Sequence, residues 1–376
     1  MDELRELYIE PTSHCNLHCV MCSRNHWRNE TKGHMDLALF DKLIGEIPGS
    51  VSRIFFGGVG EPLCHPDIIY MLRRAGKTGR TVEMITNGTL LDNEMSREII
   101  DAGLDMLWLS LDSMEEESYG NIRVGAKFGN VMDNIKIFNA RRFLPDWLNR
   151  LDEAKVKLGI AFVLMKNNLT QFKTLLIKAQ SLGIAKIKAT HLIPYDQSQV
   201  EHICYERVFG TGMYGGPAIA TGVCVDIPFM DTKDVQEHNI LPLFSNPLLS
   251  FSIMGTPLIQ REDYCRFAQE GVAFVRWDGE VCPCMALLHE NTVYQQNRER
   301  HVWPSSYGNT NEKSLLEIWE SENYATFRQR VISFDFSPCT RCGPCNFFET
   351  NEEDCFGNTF PTCGACLWAQ GLFQCP

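Results

Sequence analysis

Residues 6–22 read ELYIEPTSHCNLHCVMC, a short strand-like run that leads straight into three cysteines, Cys15, Cys19 and Cys22, spaced C-x3-C-x2-C. Three thiols in one tight loop make an odd number for disulfides and fall one short of a closed zinc site. A four-iron, four-sulfide cluster has four metal corners, so three thiolates leave one iron open to a small molecule. Zinc completed by His14 or His18 is the competing use of the same loop.

Working outward, apolar runs at 6–11, 53–58, 81–86, 105–111, 156–164 and 185–193 read as strands. Between them, DLALFDKLIGEI, IIYMLRRAGK, NEMSREIIDAG and LTQFKTLLIKAQSLG space their apolar residues at three and four, as helices do. Strand–helix units of this kind build a parallel sheet, and six of them predict an α/β fold, a partial (β/α)6 TIM-like barrel. In such barrels the chemistry sits where strands end. Residues 143–155 read as an insertion. After residue 200 the alternation stops, Gly and Pro gather at YGGP (214–217), and cysteines crowd the stretch from Cys265 to Cys375. The expected division is 1–200 barrel, 201–260 connector and 261–376 cysteine-rich domain.

Of 376 residues 44% are hydrophobic and 22% charged, and the net charge is −12. An acidic chain without a long basic run speaks against nucleic acid as a partner. The opening MDELREL lacks a secretory pattern, and 241–259, the most apolar stretch, is interrupted by Pro, Asn and Gly. No membrane span is expected, and that stretch reads as an irregular connector. Sixteen cysteines in a chain expected in the cytoplasm point to metal or redox chemistry.

Further signals lie at the strand ends. RIFFGGVGEPL (53–63) runs a strand into a glycine-rich turn, where bare backbone can approach a ligand closely. TNGT (86–89) closes the third strand and LSLDS (109–113) the fourth, while Arg123 lies in YGNIRVGAKF. Each has a plain alternative: a tight turn, a satisfied strand hydroxyl, a solvated arginine.

With the trio after the first strand, these motifs make the chain resemble the radical S-adenosylmethionine (SAM) enzymes. The resemblance implies that the open iron chelates SAM and that an electron from the cluster splits SAM to methionine and a 5′-deoxyadenosyl radical, which removes a substrate hydrogen. It implies SAM contacts from Gly58, Gly60, Glu61, Asn87, Ser110, Asp112 and Arg123, with Val163, Met165 and Leu192 beside the adenine. Met21 departs from the aromatic residue common before the last cysteine, and Val59 from the first position of the Gly-Gly-Glu motif.

Ten cysteines fall between 265 and 375. Cys339-x2-Cys342 with Cys363-x2-Cys366 fits a zinc ribbon, which leaves six thiols unused. The tail also resembles the SPASM extension of radical SAM maturases, which implies two auxiliary four-iron clusters. Cys265, Cys282, Cys284 and Cys366 are assigned to the inner one, and Cys339, Cys342, Cys345 or Cys355, and Cys375 to the outer. Leu315, Leu316, Ile318, Trp319 and Phe327 read as one buried helical face.

The function implied is a radical SAM maturase acting on a peptide or protein, fed by a low-potential donor of the ferredoxin or flavodoxin type. IEPTSHCNLHCVMCSRN and PTCGACLWAQGLFQCP resemble the branch that matures tungsten-cofactor oxidoreductases. The alternatives are small-molecule chemistry in cofactor biosynthesis and a noncatalytic iron–sulfur electron carrier.

Overall fold

Six strands, β1 (Glu6–Ile9), β2 (Arg53–Phe56), β3 (Thr81–Thr86), β4 (Met106–Ser110), β5 (Lys157–Leu164) and β6 (Lys186–His191), lie side by side in chain order, every pair parallel. The computed structural model that shows this describes residues 3–27, 30–143, 155–205, 223–228, 234, 237–238, 249–253, 264–295, 298–337, 339–341 and 345–374. Helices α1 (Leu37–Gly45), α2 (Ile68–Gly76), α3 (Asn93–Asp101), α4 (Glu116–Ile122), α5 (Phe128–Arg142) and α6 (Leu169–Lys178) make the crossovers. Local chemistry sets their starts. Asp36 caps α1 by accepting from the Ala38 and Leu39 amides, and Asp92 caps α3 through the Met95 amide.

Strand alternation divides the core. Leu7, Ile9, Ile54, Phe56, Leu107 and Leu109 pack against the helices, while Tyr8, Phe55, Met106 and Trp108 fill the opposite face of the sheet. Arg53 closes the lower part of that face, bound to Glu6 (2.6 Å) and Glu83 (3.2 Å), and Trp108 Nε1 donates to Glu83 at 2.8 Å. Above this plug the same period of two aims Ile85, Asn87, Ser110, Val163 and Thr190 into a cavity of about 370 Å³ at the carboxyl ends of the strands.

The sheet is wider than six strands. At the β6 edge, β7 (Val223–Ile227) and β8 (Leu249–Ile253) continue it in parallel, so 249–253, expected within an irregular connector, form a strand. At the β1 edge the tail joins in. Following the short α7 (Arg266–Gln269), β9 (Val272–Val275) pairs in parallel with β1, and β10 (Val281–Cys282) returns antiparallel to it. The apolar VAFV run is buried at all four positions, which is why it can cover an open barrel edge. A hairpin of β11 (Asn291–Gln295) and β12 (Arg298–Val302) follows. Next come α8 (Leu315–Trp319), closed by a Ser314/Glu317 capping box, and α9 (Glu322–Ser333). Leu315, Ile318, Trp319 and Phe327 are buried as expected, but Leu316 is exposed, because it sits about 100° around α8 from Leu315, away from the arc that Leu315, Ile318 and Trp319 share. The insertion residues 144–154, YGGP (214–217), Cys342 and Cys375 lie outside the described residues.

Candidate cofactor site

The three-cysteine loop is held from two sides. It runs beside the end of α4, with the His18 amide donating to Val124 O and the Val20 amide to Ile122 O, both at 3.0 Å. On its other side it meets the glycine-rich turn, where the Glu61 amide donates to His14 O at 2.8 Å. A Cβ at Gly60 would stand 2.0 Å from Thr12 O and 2.8 Å from His14 O, so only glycine lets the two backbones meet. Gly60→Ala is expected to cost about 1–3 kcal/mol of stability and to lower iron bound by the loop. Thermal unfolding with iron analysis measures both, and an unchanged melting temperature would refute the role.

Cys15, Cys19 and Cys22 all line the cavity. Burial pushes the Cys19 thiol up to about 11, with Arg123 pulling the other way, and burial also raises Cys22. Such thiols become thiolates only against added positive charge, which a bound metal cluster supplies.

Gly58, Gly60, Glu61, Asn87, Ser110 and Arg123 line the same cavity. The Glu61 carboxylate is turned to internal work, accepting from Thr86 Oγ1 (2.6 Å), the Asn87 amide (2.7 Å) and the Leu63 amide (3.1 Å). Burial raises its pKa against those three bonds. Glu61 thus shapes the turn that joins two strand ends, and Asn87 Nδ2 donates to Asn16 Oδ1 at 2.9 Å within the cysteine loop. Asp112 is fully buried and absent from the cavity wall; it takes Arg123 Nε at 2.7 Å and Nη2 at 2.5 Å, and the Val163 amide at 2.7 Å. Arg123 Nη1 then lies 3.9 Å from Cys19 Sγ. Burial opposes the Arg123 charge, but Asp112, Cys19 and Tyr119 outweigh it and hold the guanidinium more firmly charged than usual. Met165 and Leu192, expected beside the adenine, pack in an apolar cluster with Ile122, Ile203 and Tyr205, and the neighbouring Val163, Thr190, His191 and Ile193 line the cavity in their place.

In the tail, Cys265, Cys284, Cys363 and Cys366 line one small internal space. Burial drives all four thiols upward, Cys265 to about 12, and each of Cys265, Cys284 and Cys363 is raised further by Cys366. Cys282, placed with this set by sequence, lies instead on β10 among Tyr8, Phe55, Phe274 and Leu288. Successive strand residues point to opposite faces, so Cys282 and Cys284 share a face only if the strand continues, and it ends at Cys282. Cys363, not assigned to either cluster by sequence, lines that space, and Cys265 and Cys284 also pack against the apolar cluster that holds Cys282. Of the outer set, Cys339 is buried against Phe348 and Ala365, Cys345 is half-buried and Cys355 is exposed.

A feature without a local motif is His289, which lines the cavity with Glu10 and Glu30 at its two ring nitrogens. The only sequence hint was Glu10, a charge at a lumen-facing position of β1's alternation.

A partial α/β barrel whose strand ends surround a three-cysteine loop, closed at one edge by a cysteine-rich extension, is the architecture of an iron–sulfur enzyme that handles SAM. Residues 9–151 match the radical SAM superfamily, and residues 265–359 match SPASM, an iron–sulfur cluster-binding domain. Over 382 aligned residues, covering 99% of the chain and 97% of the relative, it is 32% identical to a tungsten-containing aldehyde ferredoxin oxidoreductase cofactor-modifying protein of Pyrococcus furiosus. A second relative, Fe-coproporphyrin III synthase of Methanosarcina barkeri, is 25% identical over 94% of the chain and 86% of its own length. Among solved structures, Streptococcus suis SuiB bound to SAM superposes with a TM-score of 0.59 at 19% identity, covering 90% of this chain and 70% of SuiB. SuiB bound to its precursor peptide SuiA gives 0.59 at 18% identity, covering 90% and 69%. The chain belongs to the radical SAM superfamily and is a radical SAM enzyme with a SPASM domain, which implies iron–sulfur clusters and SAM as its cofactors. Among the described residues no helix is long and apolar enough to cross a membrane.

Proposed function

We propose that the chain is a maturase for a tungsten-dependent oxidoreductase, acting on the cofactor of that enzyme. End-to-end similarity to the cofactor-modifying protein carries this reading, and the cavity at the strand ends, about 370 Å³, is of small-molecule size. Cys15, Cys19 and Cys22 would hold the cluster that binds SAM. Cys265, Cys284, Cys363 and Cys366 would hold an auxiliary cluster at the far side of the same cavity, where Cys284, Cys363 and Cys366 reach its wall. With SAM bound and an electron from a low-potential donor, this assembly supplies hydrogen-atom abstraction from an unactivated C–H bond.

The chain's own residues do the rest. Arg123, fixed by Asp112, presents a permanent cation beside Cys19, suited to a carboxylate of the cofactor. Gly58–Glu61 offers backbone acceptors to an ammonium. The Arg53–Glu6–Glu83 plug and the tail shut the lower and outer walls, excluding water and stray hydrogen donors.

The test is 5′-deoxyadenosine formation by reconstituted, reduced protein given SAM. Cofactor released from a tungsten-dependent aldehyde oxidoreductase is expected to stimulate it several-fold. Stimulation by the oxidoreductase polypeptide stripped of cofactor, with none by the cofactor itself, would replace this reading with a peptide or protein substrate.

A further inference from the structure

Glu10, Glu30 and His289 come from the end of β1, the segment after the cysteine loop and the SPASM domain, yet the two carboxylates meet on the His289 ring, which lines the cavity. His289 Nε2 lies 3.1 and 3.0 Å from the two Glu10 carboxylate oxygens, and its Nδ1 lies 3.3 Å from Glu30 Oε2. The ring is 3% exposed and packs on Trp27, with 4.6 Å between ring centroids. An imidazole with a carboxylate at each nitrogen satisfies both only as the doubly protonated cation. Glu10 Oε1 also accepts from the Val59 amide at 3.0 Å, and a Cβ at Gly58 would strike the Glu10 side chain at 2.6 Å. Glu30 Oε1 accepts from the Glu290 amide at 2.9 Å, which ties the other end of the link to the SPASM domain.

We propose that Glu10–His289–Glu30 is a charged latch through which the SPASM domain positions the Gly58–Glu61 turn for SAM, with His289 as a positioning residue. This rests on the reading of that turn as the SAM-facing one. It adds that SAM affinity depends on a histidine more than two hundred residues away in the chain. Among the described residues, other charges nearby are engaged: Arg276 pairs with Asp278 and donates to Leu288 O at 3.2 Å, and Glu290 meets His301 at 3.3 Å. Cys282 is a further titratable neighbour, a thiol that burial raises above its usual range.

The charge has a pH signature. Burial works against the His289 cation, but Glu10 and Glu30 raise its pKa from 6.5 to about 9. The latch is therefore complete below pH 6.5 and is lost as pH rises through about 9.

The test is equilibrium dialysis of SAM against reconstituted protein between pH 6 and 10, with iron measured in each sample. Wild-type affinity is expected to fall above pH 9. His289→Gln is expected to bind SAM about tenfold more weakly at pH 7, with little dependence on pH and unchanged iron. Should His289→Gln fail to fold, Glu10→Gln, which keeps an acceptor for the Val59 amide but removes the charge, must weaken SAM binding and flatten the profile. Equal affinity and an identical pH profile in a folded variant would overturn the latch alone. Wild-type protein that binds no SAM at any pH would overturn the reading of the turn and the latch with it.

Discussion

Replacing Cys15, Cys19 and Cys22 together by Ala is expected to abolish 5′-deoxyadenosine formation while leaving the iron of the tail in place. The loop is built by backbone contacts with residues 122–124 and with the glycine-rich turn, none of which involves a thiol. Alanine therefore removes ligands without removing the loop's support. The tail thiols are housed elsewhere, between α7, α9 and the segment 363–366, so their cluster has no reason to leave. Anaerobic iron and sulfide analysis, paired with chromatography of the reaction, reads both halves. Product from the triple variant would mean that SAM is cleaved at another centre. Loss of all iron would mean that the two regions fold as one metal-dependent unit.

The second large effect separates Cys282, assigned from sequence to the inner cluster, from Cys363, assigned to neither cluster. Cys363→Ala is expected to remove about four irons per chain, a whole auxiliary cluster, because Cys363 sits with Cys265, Cys284 and Cys366 in one space. Cys282→Ala is expected to keep that iron and to cost roughly 1 kcal/mol through a small cavity among Tyr8, Phe55 and Phe274. Iron content and near-ultraviolet circular dichroism distinguish the outcomes. The reverse result, iron lost from Cys282→Ala and kept by Cys363→Ala, would restore the ligand set assigned from the SPASM resemblance.

These expectations show where sequence reading runs out. Leu192 and Met165 stand at strand ends, as adenine contacts should, but the wall residues are their neighbours Thr190, His191 and Val163. Position along a strand is a local property; which face a residue shows after the strand ends depends on what packs there. Glu61 was legible as a site residue and not as a clamp, because its partners Thr86 and Asn87 belong to another strand end.

By itself the sequence determined the six parallel strands, the helices between them and the loop of three thiols. Periods of 2 and 3.6 and a ligand spacing of a few residues are short-range patterns, set by backbone geometry before any distant contact forms. Only the tertiary structure decided that the tail continues the barrel sheet through β9, that Cys363 lines one internal space with Cys265, Cys284 and Cys366, and that His289 closes on Glu10. Each of these is a pairing between segments far apart in the chain, chosen by which buried edges, thiols and charges find a partner once the sheet is packed.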